Sequence, residues 1–204
     1  GKDEGTLVAP GIYTVEMGLL KNGELNSLTS PVTFEVKALN NVEMPAKDRA
    51  EKVAFQKDLA RLQADMGITQ KLMSESRKKV KYIKAAIKRA EQPLAVLYKE
   101  VMVIENRLKE VELAMYGDPV KRRLDIDQPL PPAYRLGSIG YEQKYSTATP
   151  TQTHRDSYAI AKEEVAVLKT KMESVYNKDL KVLEQKLINA GAPYTPGRGY
   201  YHQD

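Results

Sequence analysis

The sequence predicts a mainly α fold, an elongated antiparallel three-helix bundle with long helices and a small N-terminal β piece. Three observations carry that prediction. Apolar residues recur at alternating steps of four and three through three long stretches, which gives each stretch one continuous apolar seam. Glycine and proline punctuate the chain between those stretches. With 2 Phe and no Trp among 204 residues, the core must be built from Leu, Val, Ile, Ala and Met, which suits packed helices better than a large β-sandwich.

The β piece comes first, within residues 1–42. Tyr13, Val15 and Met17 share one face of a strand, and Val32, Phe34 and Val36 share one face of another. Asn22-Gly23 between them is a turn signal, because both residues tolerate positive φ. Two or three strands are too few for a sandwich, so the piece is either the tail of an Ig-like domain or a sheet packed on the helices.

The helical region covers residues 43–193. Its first helix is expected over 45–91, with the seam Phe55, Leu59, Leu62, Met66, Thr69, Met73, Ser76, Val80, Ile83, Ile87 and Ala90. A second helix over 93–116 repeats the pattern through Leu94, Leu97, Val101, Ile104, Leu108, Val111 and Met115, with Pro93 expected at its first position. The heptad phase continues across Pro93, so a single kinked rod is one arrangement. A hairpin turning near 89–92 is the favoured one, because it buries both seams and avoids the roughly 3 kcal/mol cost of an interior proline. Residues 118–148, with Pro129, Pro131, Pro132, Gly137 and Gly140, read as a long crossover loop running back along the bundle. The third helix is expected to start with Thr149 as N-cap, Pro150 at the first position and Gln152 closing a capping box. Its seam runs through Tyr158, Ala161, Val165, Leu168 and Met172, then shifts phase like a stutter through Tyr176, Leu180, Leu183 and Leu187. Gly191 and Pro193 stop it, and 194–204 form an irregular tail.

Composition bounds the chemistry. The net charge of +5 permits attraction to anionic surfaces, but the 27 acidic residues and the absence of a basic tail argue against a nucleic-acid partner. Without cysteine there is no disulfide, thiolate metal site or cysteine nucleophile. No apolar run reaches the roughly 18 residues that a membrane span needs. Gly1 in place of Met reads as a cleavage scar, with the natural N-terminus and any export signal expected upstream. His154 lacks further ligands at metal-binding spacing and reads as a helix-surface or seam residue, and His202 lies in the tail, so no metal or other cofactor is expected. Glu105, Glu110 and Glu112 alternate with Lys99, Arg107 and Lys109, the pattern of a solvated helix face with i,i+4 pairs.

Two stretches resemble a known family. Leu7-Val8-Ala9-Pro10-Gly11-Ile12-Tyr13-Thr14-Val15, followed by a hairpin and Val32-Thr33-Phe34-Glu35-Val36-Lys37, resembles the last strands of the Ig-like domain in large bacterial sortilin-like, BNR-repeat β-propeller proteins. Thr149-Pro150-Thr151-Gln152, Tyr158, Asp179-Leu180, Leu187 and Gly191-Ala192-Pro193 resemble the final helix of their C-terminal region. The resemblance implies an extracytoplasmic C-terminal module that packs on, or extends from, upstream β-propeller domains. Such proteins are often labelled glycosyl hydrolases by propeller analogy, and that chemistry carries over to no residue of this chain.

The expected function is therefore a non-catalytic structural and interaction module, with an accessory carbohydrate-binding region of a secreted glycan-processing hydrolase as the alternative. A self-assembling adaptor, and so a homo-oligomer, is a third reading. The candidate contact residues are basic and aromatic. Arg77-Lys78-Lys79 with Lys81, Lys84, Lys88 and Arg89 is the strongest basic patch, with Lys71, Lys78, Lys81 and Lys88 near one face and Lys121-Arg122-Arg123 as an extension. Its bland reading is a solvated outer face; its sharp one is a site for an anionic partner, from Arg77, Lys78, Lys81 and Lys88. Among the tyrosines Tyr134, Tyr141, Tyr145, Tyr194, Tyr200 and Tyr201, the pair Tyr141 and Tyr145 would line a sugar-stacking groove under the carbohydrate reading.

Overall fold

The seams set the architecture. A computed structural model describes residues 8–39 and 49–196, and in it α1 runs over Arg49–Arg89, 41 residues or about 60 Å by helical rise. Phe55, Leu59, Leu62, Met66, Thr69, Met73, Ser76, Val80 and Ile83 are all buried along it, as the spacing predicts. Helix α2, Ala95–Tyr116, buries Val101, Ile104, Leu108, Val111 and Met115. It returns antiparallel to α1: Arg77 pairs with Glu112, and Lys84, seven residues further along, pairs with Glu105, seven residues back. The connection is thus a hairpin and not a kinked rod. Pro93 lies two residues ahead of α2 and outside it, a correction to its expected place. Its ring disfavours the α region for the residue before it, which helps to end α1 at Arg89.

Residues 118–148 are not a crossover loop. They hold a five-residue helix α3, Pro119–Arg123, and a 14-residue helix α4, Pro132–Tyr145. The Gln63 amide donates to the Leu136 carbonyl and the Gln56 amide to the Gln143 carbonyl, so α4 also runs antiparallel to α1, against its N-terminal half. The middle column of the bundle is therefore α2 and then α4, running in the same direction, with residues 117–131 looped out between them. Gly137 and Gly140 hid this helix. Each costs about 1 kcal/mol against alanine in a helix, but Leu136, Ile139 and Gln143 hold the same three-and-four spacing and are buried. Gly140 also has a packing reason, since a Cβ there would run into the Gln63 amide.

The third column is α5, Gln152–Ser174, a π-helical turn at Val175–Asp179, and α6, Leu180–Asn189. It runs parallel to α1. Glu51–Arg155 and Asp65–Lys169 join residues 104 apart, whereas Lys79–Glu184 joins residues 105 apart. The π turn absorbs that one extra residue. It explains the stutter: the core steps from Met172 to Val175 and then by five to Leu180, with Tyr176 only partly buried. At the C-terminal end of α6, Gly191 takes φ 65°, its N–H bonds the Ile188 carbonyl, and the Ala192 N–H bonds the Leu187 carbonyl, a Schellman cap.

The N-terminal cap of α5 sits two residues later than the sequence suggested. Thr151 is the N-cap, and its hydroxyl accepts from the His154 N–H at 3.2 Å. His154 Nδ1, rather than the Gln152 side chain, accepts from the Thr151 N–H, while Gln152 bonds Asp156. Pro150 stays outside the helix. Thr151→Ala is expected to cost about 1 kcal/mol, read as a lowered melting temperature; an unchanged value would remove the cap assignment.

The β piece has four short strands, one or two more than expected: β1 Gly11–Val15, β2 Gly18–Lys21, β3 Glu24–Ser27 and β4 Val32–Val36. Asn22 and Gly23 take φ 54° and 85° and form the hairpin turn. Pairing runs from Lys21↔Glu24 to Gly18↔Ser27, then resumes from Val15↔Val32 to Gly11↔Val36. Residues 16–17 on one side thus face 28–31 on the other, an interruption of the pairing bridged by the Leu28 N–H on the Met17 carbonyl. The result is two nested two-stranded antiparallel sheets, β1–β4 and β2–β3, which together make a ribbon. Among the described residues no strand packs against a helix.

Candidate interaction surface

The basic row of α1 is built by the same spacing as its core. Ser76, Val80 and Ile83 are buried, with Ile87 partly so, and the residue after each is Arg77, Lys81, Lys84 and Lys88. A row one residue beyond a seam lies at the border of the helix pair, where it can reach across to α2. Two of its cations do so. Arg77 meets Glu112 at 2.5 Å, and Lys84 meets Glu105 at 3.0 Å. Glu105, through its hydrogen bond and its charge, raises the Lys84 pKa above the usual lysine value. These are pairs between helices, where the sequence pattern suggested i,i+4 pairs within α2.

Between the two helices lies a groove of about 530 Å³, lined by Arg77, Lys81, Lys84, Lys88 and Glu105 around Val80, Ala85 and Leu108. A second hollow of about 430 Å³ shares Arg77 and Lys81 and adds Met73, Lys78, Glu112 and Tyr116. Lys78, Lys81 and Lys88 have no carboxylate partner among the described residues, so the trough is cationic with an apolar floor. The structure thus gathers all four basic residues singled out from the sequence along one trough. It adds Lys84, which sat in the patch without being singled out, and the apolar floor, whose signal is the seam itself. Lys71 lies outside the trough. Lys79 turns the other way, onto Glu184 at 2.9 Å and the Tyr176 ring. Arg122 of the proposed extension is occupied by the Tyr134 hydroxyl and the Tyr116 carbonyl.

The α1–α5 groove differs in kind. Its volume is similar, about 550 Å³, but Asp58, Asp65 and Glu173 stand among Arg61, Lys162 and Lys169, and Lys169 is bonded to Asp65. Charges of both signs cancel there.

The tyrosines disperse. Tyr141 and Tyr145 are each 69% exposed on α4, their rings 5.0 Å apart, and they line none of these three grooves. Tyr200, Tyr201 and His202 lie outside the described residues. His154 is neither a free surface residue nor a seam residue. Nδ1 accepts from Thr151 and the Gln143 amide, and Nε2 donates to Glu142 at 2.6 Å. Both ring nitrogens are therefore committed to joining α4 to α5, and the His154 bond, with the Ser138 hydroxyl, holds the Glu142 carboxyl below its usual pKa. Among the described residues no group of three or more His, Asp or Glu is placed to hold a metal ion, and no helix is long and apolar enough to cross a membrane.

The ribbon is the second candidate surface. Tyr13 stacks on Phe34 at 6.1 Å, and with Val15, Val32 and Val36 they form one apolar face in register. Val15, Val32 and Phe34 are 54%, 60% and 48% exposed. Among the described residues nothing pairs with either outer edge of the ribbon. Comparison with protein-family models, curated proteins and solved structures finds no match to this chain.

Proposed function

We propose that this chain is a non-catalytic structural and interaction module of a larger extracytoplasmic protein. In this reading the three-column bundle is a stiff arm, and the ribbon is the joint through which it becomes part of a neighbouring β domain. The observation that carries it is the ribbon face of Tyr13, Val15, Val32, Phe34 and Val36, with Val15, Val32 and Phe34 exposed, Tyr13 and Val36 half-buried, and no helix packed on it among the described residues. A lone two-stranded ribbon is at best marginally stable in water, and apolar residues in register on one face are what a sheet uses to pack on a core. The sequence resemblance to the closing strands of an Ig-like domain in sortilin-like propeller proteins supplies the kind of neighbour, an upstream β domain of the same protein.

Amide hydrogen exchange tests the joint. In the 204-residue chain the amides of residues 11–36 should exchange orders of magnitude faster than those of α1 and α5. In the longer protein, with the upstream β domain attached, they should slow to the level of the helices. Ribbon amides that stay fast in the longer protein, or are fully protected in this chain alone, would overturn the assignment. The exposed Tyr141–Tyr145 pair favours the second reading, an accessory carbohydrate-binding region, because open aromatic faces stack on sugars. Because it lines none of the three grooves described above, the pair supports that reading less than the ribbon supports the first.

A further inference from the structure

We infer that the trough between α1 and α2 is a docking site for an acidic amphipathic helix of a protein partner. The inference is independent of the ribbon, which lies elsewhere in the chain.

Three features of the trough define its occupant. The first is charge: among the described residues that line the trough, Arg77, Lys78, Lys81, Lys84 and Lys88 stand with two carboxylates, Glu105 and Glu112, and both are already bonded to Lys84 and Arg77. The second is spacing. Lys81 and Lys88, the uncompensated cations of the main groove, are seven residues apart, which is about 10.5 Å along the helix. Carboxylates two turns apart on a facing helix match that interval. The third is the floor: Ala85 is exposed between the cations, Val80 and Leu108 close the groove from beneath as part of the core, and most of the surface inside it is carbon. A polyphosphate or a nucleic-acid backbone would satisfy the charges and leave the floor unused. A helix with Glu or Asp on its flanks and Leu or Val between them uses both, and it would pack on α1 and α2 as a fourth column, by the geometry that already joins those two.

The test uses the whole chain and a labelled synthetic peptide of three heptads, with leucine at the seam positions and glutamate on both flanks, followed by fluorescence anisotropy. Binding is expected to weaken about tenfold or more in the double variant Lys81→Glu, Lys88→Glu, whose two side chains are exposed, so the melting temperature should hold. The control variant Lys57→Glu, Lys71→Glu, outside the trough, should bind as the parent does. A peptide with alanine at the seam positions should bind more weakly, and polyphosphate should compete poorly. The proposal is overturned if the acidic peptide does not bind, or if the Lys81 and Lys88 reversals leave its affinity unchanged, as they would for adhesion to the ribbon. It is equally overturned if the alanine peptide and polyphosphate bind as well as the leucine peptide, the result expected of a general polyanion surface.

Discussion

Ile83→Ala and Leu168→Ala should each lower stability by about 2–5 kcal/mol, the range for removing a branched aliphatic side chain from a packed core. Ile83 is 1% exposed in α1 and Leu168 is 3% exposed in α5, so each variant leaves a cavity inside the bundle. The paired control is Val167→Ala. Val167 precedes Leu168 on the same helix but is 54% exposed, and its truncation should fall within about 0.5 kcal/mol. Denaturant melts of the three variants measure the contrast directly. Equal effects at positions 167 and 168 would mean that α5 is rotated about its axis, and with it the assignment of the seam that defines the fold.

That seam was legible because it is redundant. Through α1 the pattern repeats over nine buried positions from Phe55 to Ile83, so neither Gly67 nor the polar Thr69 and Ser76 obscures it. Helix α4 was not legible, because 14 residues offer few repeats and Gly137, Gly140 and the prolines ahead of it all signal loop. Long-range packing decides there: Gln56 and Gln63 of α1 hold two α4 carbonyls, contacts made across a sequence separation that no local pattern reports. The cap of α5 failed for a related reason. Thr149 and Thr151 both fit an N-cap, and the choice rests on His154, which bridges the Thr151 N–H, Gln143 and Glu142 across the α4–α5 turn. The trough lies between these cases. The basic cluster could be seen in the sequence, but its use could not, since Arg77, Lys81, Lys84 and Lys88 become one row only when the row is counted from the seam beside it and α2 supplies the opposite wall.

Deleting Asn177 should stabilise the protein, by roughly 0.5–2 kcal/mol, although deletions within helices usually do the reverse. Asn177 is exposed and sits in the π turn, so its loss removes little packing. The five-residue step from Val175 to Leu180 becomes a step of four, and the seam of the third column then alternates four and three from Ala161 to Leu187. Glu184 also comes to stand 104 positions beyond Lys79, the offset already held by Glu51–Arg155 and Asp65–Lys169. A regular helix therefore keeps the interhelical register and recovers ordinary i→i−4 bonds. Deleting Glu163, equally exposed but in the regular part of α5, does the opposite. It turns one part of the helix about 100° against the other and should cost several kcal/mol, as buried side chains leave the core. Melting temperatures of the two deletions separate the cases. Should loss of Asn177 prove as costly as loss of Glu163, the π turn would have to supply packing that a regular helix cannot. The residue to pursue would then be Tyr176, whose ring lies beneath the Lys79 ammonium at 5.3 Å and whose hydroxyl pKa is raised by burial and by its hydrogen bond to Glu75.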